Sequence, residues 1–464
     1  MTSKKFFLDQ HGCAKNQVDG ELILTHLEQS GYVKTDNPED ADLIIINSCG
    51  FIESAKTESL NSLMDARKSF PKAKILLAGC LAERYADVFK TELMEADGIF
   101  GNGDISKVTE TVNKMFSGER PVIKPPQNGV CCGNRNTLLN FKGSAYVKIT
   151  EGCNNCCTFC AIPLIRGSLR SRKASEITEE ITELVSKGTK EINLIGQDLA
   201  AYGTGKEDRV FDSSSSSQEH SFLYSLMEEI SKISGNFWVR LLYIHPDHFN
   251  PDILEIMKKD SRFLPYFDIP FQSGADSIIK AMNRKGTSLS YQKLVQTIRS
   301  AFPESSIRTT FLTGFPGETE QDHNSTKEFL TAIQSDWSGC FSYSTEEGTP
   351  AAKMKGKVSK KAAEKRAGEL VQIQSKITEE KLAERVGKTY DVLVEEIIEN
   401  NDGTDEGLAI GRAWFEAPEV DGSFVIRYDL DDKEAVEAIK SGNVVKVKAI
   451  ASSAVDIDGE YIGK

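Results

Sequence analysis

The 464-residue sequence contains no apolar run approaching the roughly 18 residues that a membrane span needs. Its first residues, MTSKKFFLDQHGC, lack an apolar segment followed by a small-residue cleavage site, so a cytoplasmic protein is expected. A basic surplus is missing as well: 56 Lys and Arg stand against 69 Asp and Glu, a formal charge of −13. A chain whose main task is to grip nucleic-acid phosphate ordinarily shows the opposite sign, at least locally. With 39% hydrophobic and 27% charged residues the chain is not disordered as a whole. Its length suggests roughly three domains of 100–200 residues. Cysteine, in contrast, is plentiful. Ten in a large cytosolic chain point to metal ligation or redox chemistry rather than disulfides.

Strand-like apolar runs at residues 6–8, 43–46 and 75–78 alternate with helical patterns at 18–29, from about Ser54, and at 84–93. This order predicts a doubly wound parallel sheet over residues 1–120. Pro121, Pro125, Pro126 and Gly129 then read as a linker, residues 121–140. A second alternating block, 141–370, has candidate strands at 146–149, 191–195, 239–244, 266–269, 307–313 and 340–343, with helices between them. Roughly six βα units suggest an open or partial parallel barrel. Inside this block, residues 206–220 carry five consecutive serines and read as a surface loop. A charged helix, of which 371–385 is the connector, leads to short β-type runs at 390–394, 409–411, 424–428 and 444–450. These predict a small all-β barrel at 386–464.

The cysteine positions carry the chemistry. Cys153, Cys157 and Cys160 form C-x3-C-x2-C in GCNNCCTFCAIPLIRG, just after a strand. Three thiolates on one loop can hold three irons of a four-iron–four-sulfur cluster, whereas four would close it for electron transfer. The fourth iron then keeps a position that an amine and carboxylate can chelate. Zinc is the alternative, but structural zinc prefers paired C-x2-C units and four ligands. Cys156 also stands at C-x2-C from Cys153 and is read as a bystander. Three further cysteines follow the three strands of the first domain: Cys13 in HGCAKNQVD, Cys49 in NSCGFIESA and Cys80 in GCLAERY. Loops beyond the carboxyl ends of parallel strands share one edge, so these three should converge, each beside a helix N-terminus that favours a thiolate. The plainer alternative is three unrelated buried thiols. Cys131, Cys132 and Cys340 have no partner spacing.

The loop 153–160 resembles the signature of radical S-adenosylmethionine enzymes, and Phe159 matches the aromatic position that this superfamily sets against the adenine. With Cys13, Cys49 and Cys80 added, the chain resembles the methylthiotransferases. These carry a second cluster on an N-terminal domain, then a partial α/β barrel, then a small TRAM barrel. LIGQD ending at Asp198, IPFQSG at 269–274, MNRKG at 282–286, GFPGETEQD at 314–322 and GRAWFEAPEVDG at 411–422 extend the resemblance over essentially the whole chain. It implies two four-iron–four-sulfur clusters, on Cys13, Cys49 and Cys80 and on Cys153, Cys157 and Cys160. It also implies S-adenosylmethionine as both radical source and methyl donor, with flavodoxin or ferredoxin as electron donor. Gln197, Ser273, Arg284 and Arg308 lie at or near predicted strand ends, where barrel sites collect, and are candidates for contact with S-adenosylmethionine or substrate. Arg166, Arg170 and Arg172 are candidates to hold a carboxylate, with a solvated basic face as the alternative.

Within the family, GCAKNQVDGE and NSCGFIESAKTES resemble the RimO-type branch, which modifies small-subunit ribosomal protein twelve. The transfer-RNA branch usually has glutamine and methionine after its first ligand. Ala14, where proline is usual, and Ser48, where threonine is usual, depart from the pattern without touching a ligand. Residues 386–464 hold eight Lys and Arg against eighteen Asp and Glu, which argues against direct RNA binding and favours a basic protein partner. The expected reaction is methylthiolation of an aspartate β-carbon, an unactivated C–H that a general base cannot open and a radical can. Transfer-RNA methylthiolation and a non-catalytic iron–sulfur scaffold or electron carrier are the alternatives.

Overall fold

The computed structural model describes residues 3–211, 220–399 and 405–463. The serine run 213–217 lies outside the described residues. The first domain is built from β1 (Lys5–Gln10), α1 (Ala14–Gln29), β2 (Val33–Lys34), β3 (Leu43–Ser48), α2 (Glu53–Ser69), β4 (Lys74–Gly79), α3 (Cys80–Glu92), β5 (Gly98–Phe100), α4 (Val108–Phe116) and β6 (Val122–Ile123). Its six strands lie in the order β2-β1-β3-β4-β5-β6, all parallel. β3 is buried along its whole length, as expected of a central parallel strand with both faces covered. The stretch expected as a linker begins with the sixth strand. It then sends Arg135 inward between Glu21 and Glu180, both at 2.5 Å.

The second domain follows as β7 (Ser144–Lys148), β8 (Thr150–Glu151), α5 (Ile162–Arg166), β9 (Arg170–Ser171), α6 (Ala174–Ser186), β10 (Glu191–Ile195), α7 (Phe222–Ser231), β11 (Trp238–Leu241), α8 (Ile253–Lys259), β12 (Phe263–Asp268), α9 (Asp276–Ala281), α10 (Ser288–Ala301), β13 (Ser306–Thr313), α11 (Glu320–Ile333), β14 (Trp337–Ser342) and α12 (Lys360–Ala383). Strands β7, β10, β11, β12, β13 and β14 pair in sequence order and in parallel, giving the open half-barrel. α12 packs along β14, β13 and α11, so the connector belongs to the wall of this domain. β15 (Thr389–Ile398), β16 (Glu406–Arg412), β17 (Phe424–Asp429), α13 (Lys433–Ala438), β18 (Val444–Ser452) and β19 (Ile457–Gly463) form a closed five-stranded barrel.

Two junctions fix the three units. Helix α1 buries 13 of its 16 residues, so it is a wedge between domains rather than a surface helix. Four of the charges at that junction close a buried ring: Lys148 meets Asp19 at 2.5 Å and Glu151 at 2.6 Å, and Arg166 meets Asp19 at 2.9 Å and Glu151 at 2.7 Å. At the opposite end of the half-barrel, the β16–β17 connection serves as a plug. The Phe415 carbonyl takes the Trp337 indole N–H at 2.9 Å and the Ser306 hydroxyl at 3.2 Å. Arg412 pairs with Glu191 at 2.6 Å, and Arg308 with Asp421 at 3.3 Å. Among the described residues no helix is long and apolar enough to cross a membrane.

Candidate functional site

Cys13 is the residue before α1, with extended backbone (φ −92°, ψ 171°), and its carbonyl takes the amides of Asn16 at 2.8 Å and Gln17 at 3.0 Å. Ala14 is then the first helical residue, the position that suits proline in any helix, so its departure from the family pattern leaves the turn intact. Cys49 follows β3 directly and Cys80 opens α3 directly after β4. The Ser48 hydroxyl donates to the Ala78 carbonyl and ties those two strand ends together, a bond that threonine makes equally well. The loops meet without room to spare. A Cβ on Gly12 would come 3.0 Å from the Cys49 Cβ, and one on Gly50 would stand 2.7 Å from the backbone C and O of Cys80.

The second triplet sits on the loop after β7 and β8. Its amide and carbonyl groups are engaged locally, with Cys160 N bonded to Cys157 O at 3.0 Å and Thr158 N to Met282 O at 3.1 Å. All six thiols open into one cavity of about 510 Å³. The first domain supplies Cys13, Cys49 and Cys80 to it, and the half-barrel supplies Cys153, Cys157 and Cys160 from the carboxyl ends of its strands. Backbone strain gathers around this space. Cys156, Tyr243 and Gln272 have φ of 49°, 65° and 71°, the left-handed region that non-glycine residues avoid, and all three line the cavity.

The electrostatics of the two sets differ. Burial raises the thiols of Cys49 to about 11 and of Cys153 and Cys160 to about 12, and it raises Cys157 and Cys80 too. Burial acts on Cys13 in the same sense, but the charges of Lys15 and Arg166 and the amides of Asn16 and Lys15 outweigh it, and its pKa falls below the ordinary value. Arg166 reaches across from the half-barrel and donates to the Cys80 sulfur at 3.1 Å while Asp19 and Glu151 hold it. On the other side Arg284 stands beside Cys157 and Cys160, with its Nη1 donating to the Phe271 carbonyl at 3.3 Å. His245 brings its Nε2 within 3.8 Å of the Cys157 sulfur, and burial together with the Arg284 charge lowers its pKa to about 4.

These donors fit polynuclear clusters better than single ions. Four thiolates around one zinc lie about 3.8 Å apart, from a bond of roughly 2.3 Å. Among the described residues the one set of three potential ligand atoms all within 4.8 Å of each other is Asp198, His245 and His248, and it contains no cysteine. The thiol triplets are spread more widely, as a cluster demands. The Asp198 trio is already occupied internally: Asp198 takes His248 Nδ1 at 2.6 Å and Asn155 Nδ2 at 2.9 Å, and His245 Nδ1 takes the Asp247 amide at 3.2 Å.

Of the other candidates from sequence, Phe159, Gln197 and Arg284 line the cavity. Gln197 donates to Glu151 at 3.1 Å and leaves its oxygen without a partner. Ser273 is buried outside the cavity, 3.2 Å from the Thr326 hydroxyl, and bonded to the Ala275 amide. Arg308 is also outside it, joining Asp268 at 3.2 Å and Asp421 at the barrel junction. The carboxylates held by Arg166, Arg170 and Arg172 are the chain's own or absent: Arg172 pairs with Glu180 at 2.5 Å, and Arg170 donates to backbone carbonyls of Gly129 and Ser168. Cys156 lines the cavity, whereas Cys131 donates to the Gly103 carbonyl, and Cys132 and Cys340 lie elsewhere. Lys15, Asn16, Tyr243 and His245 were not singled out from sequence. Lys15 and Asn16 stand immediately after the first ligand, and that adjacency is the signal that could have found them.

Comparison with known proteins agrees with this layout. Residues 5–101 match the Uncharacterized protein family UPF0004, residues 147–330 the Radical SAM superfamily, and residues 386–462 the TRAM domain. A solved radical S-adenosylmethionine methyltransferase, TsrM from Kitasatospora setae, superposes with a TM-score of 0.52 over 75% of each chain at 12% identity, a likeness of fold alone. The ribosomal protein uS12 methylthiotransferase RimO of Treponema denticola is 53% identical over 97% of this chain and 99% of its own. The protein of that name from Syntrophomonas wolfei is 35% identical over 97% of this chain and 98% of its own. With such identity across nearly the full length, the chain belongs to the RimO family of radical S-adenosylmethionine methylthiotransferases.

Proposed function

We propose that this protein adds a methylthio group to the β-carbon of an aspartate in ribosomal protein uS12, in the cytoplasm, with a flavodoxin- or ferredoxin-type electron donor. The observation that carries the reading is the pair of cysteine triplets opening into one cavity from two domains. A scaffold or electron carrier has no use for two three-thiol sites sharing an enclosed space. When bound, the two four-iron–four-sulfur centres and S-adenosylmethionine supply one-electron cleavage chemistry on the half-barrel side and a sulfur-transfer surface on the other.

The chain's own residues bind, orient and enclose. Cys153, Cys157 and Cys160 hold the first centre, and Cys13, Cys49 and Cys80 the second. Phe159 packs against the apolar cluster that contains Ile278, Met282 and Phe315 and offers an aromatic wall for the adenine. Among the polar groups that line the cavity on the half-barrel side, the Arg284 Nε and the Gln197 oxygen have no partner among the described residues and are available to S-adenosylmethionine. Arg166 neutralises sulfur charge at Cys80. Ser273 and Arg308 act from outside, fixing the β12 end and the barrel junction. The functional units are residues 1–120, 141–370 and 386–464; the 121–140 stretch adds β6 to the first, and the 371–385 stretch of α12 packs on the second. Mass analysis of uS12 and of transfer RNA from a strain lacking the gene tests the reading. Loss of 46 Da, roughly one methylthio group replacing hydrogen, from uS12 alone is expected; loss from RNA alone would overturn it.

A further inference from the structure

Three cations line the cavity: Arg166, Arg284 and Lys15. Arg166 is matched by Asp19 and Glu151, and Arg284 donates through Nη1 to the carbonyls of Pro270 and Phe271 beside Cys157 while its Nε is buried without a partner among the described residues. Lys15 is different. It is 8% exposed, yet no carboxylate of the described residues stands within ion-pair distance of its ammonium. Its ammonium lies over the ring of Tyr243, with the centroid 3.2 Å from Nζ, and its charge also acts on the neighbouring Cys13 thiol. A cation over an aromatic face gains attraction but no hydrogen-bond acceptor, so the N–H donors of the ammonium remain free for a group that enters the cavity. An anion that enters the cavity would pair with this ammonium at a site that water reaches poorly, where the pair is worth more than at the surface. Tyr243 stands at the carboxyl end of β11 and holds a left-handed φ of 65°, so the half-barrel keeps a strained residue under a lysine of the first domain.

We infer that Lys15 is the specificity-determining residue that receives the carboxylate of the target aspartate. This deepens the proposed function and rests on it. The β-carbon is one bond from that carboxylate, so an anchor at Lys15 fixes the reacting carbon beside Cys13 and across the cavity from Cys157. A neutral nucleobase gives this ammonium no anionic partner. The carboxylate of S-adenosylmethionine is the rival source of the same chemistry, and the cluster thiolates are a second.

The test measures binding of purified uS12, with its target aspartate intact or changed to asparagine, to the full-length protein with both clusters loaded, under anaerobic conditions by titration calorimetry. Wild-type protein should favour the aspartate form by roughly 10- to 100-fold, the range of a buried charge-assisted hydrogen bond. Lys15→Met should bind both forms equally, at the level wild type shows for the asparagine form. Lys15→Arg should restore a preference for aspartate, and Lys15→Gln is the second neutral variant should methionine disturb folding. An unchanged preference in the neutral variants, no preference in wild type, or a loss that falls instead on S-adenosylmethionine affinity would overturn the assignment of Lys15. Failure of wild type to bind either form of uS12 would overturn the function proposed above as well.

Discussion

Glu416 has one carboxylate oxygen on the Ala413 amide at 2.8 Å and the other without a hydrogen-bond partner. It is fully buried, and burial pushes its pKa from 4.5 up to about 8 against the opposing pull of that amide and of Arg412. The folded chain therefore keeps a proton that the unfolded chain releases, and stability falls as pH climbs from about 4.5 to about 8. Glu416→Gln should remove that decline. Relative to wild type, the variant should gain on the order of a few kcal/mol between pH 5.5 and 8.5, read as the difference in urea midpoints at the two pH values. The cysteines make a second prediction at this scale. Cys157→Ala should abolish 5′-deoxyadenosine formation from S-adenosylmethionine. Cys49→Ala should abolish methylthiolated product while some deoxyadenosine still forms, and chromatography of both reactions checks the division.

At the scale of elements, close approach of loops makes the first cysteine site. Gly50 lies between β3 and α2, and an added Cβ there meets backbone atoms that cannot rotate away. Gly50→Ala should part that loop from the start of α3 and lower iron at the first-domain centre. Iron per chain in a Cys153→Ala/Cys157→Ala/Cys160→Ala background measures this directly. Gly368→Ala, on the exposed side of α12 with nothing within 4 Å, should leave iron unchanged and stabilise the helix by roughly 0.5–1 kcal/mol. The same scale explains what the amino-acid pattern reveals. Central parallel strands such as β3 and β4 are buried on both faces and read as apolar runs, and the convergence of the cysteines at their ends follows from topology alone. The first turns of α1 were opaque, because Lys15, Asp19 and Glu21 look like solvent-facing residues until another domain covers them. The short β5 and β6 and the final strand β19, which holds an exposed Ile462 and few apolar residues, left no comparable signature.

Over the whole molecule, the acidic barrel sits at the end of the half-barrel opposite the thiol cavity. Part of its charge is turned inward, since Glu395 and the carboxylate of Asp421 are enclosed at or near that junction. The composition of residues 386–464 therefore reports long-range attraction of a basic partner better than contact at the site. What aligns the two thiol sets is the alternating ring of Asp19, Lys148, Glu151 and Arg166, reinforced by Glu346, which meets Arg84 at 2.5 Å and Lys56 at 3.3 Å across the same pair of domains. Each member of the ring is at most 5% exposed, so salt reaches it poorly. Asp19→Asn leaves two buried cations sharing one carboxylate, and the usual cost of breaking such a pair is roughly 3–5 kcal/mol. Wild-type protein should keep one radius of gyration by small-angle scattering from 0.1 to 1 M NaCl, concentrations at which screening shortens from about 10 to about 3 Å. The Asp19→Asn variant should unfold at lower urea and show a larger radius at every salt concentration. An unchanged radius in that variant would mean that apolar packing of α1 against β7 holds the domains without the ring.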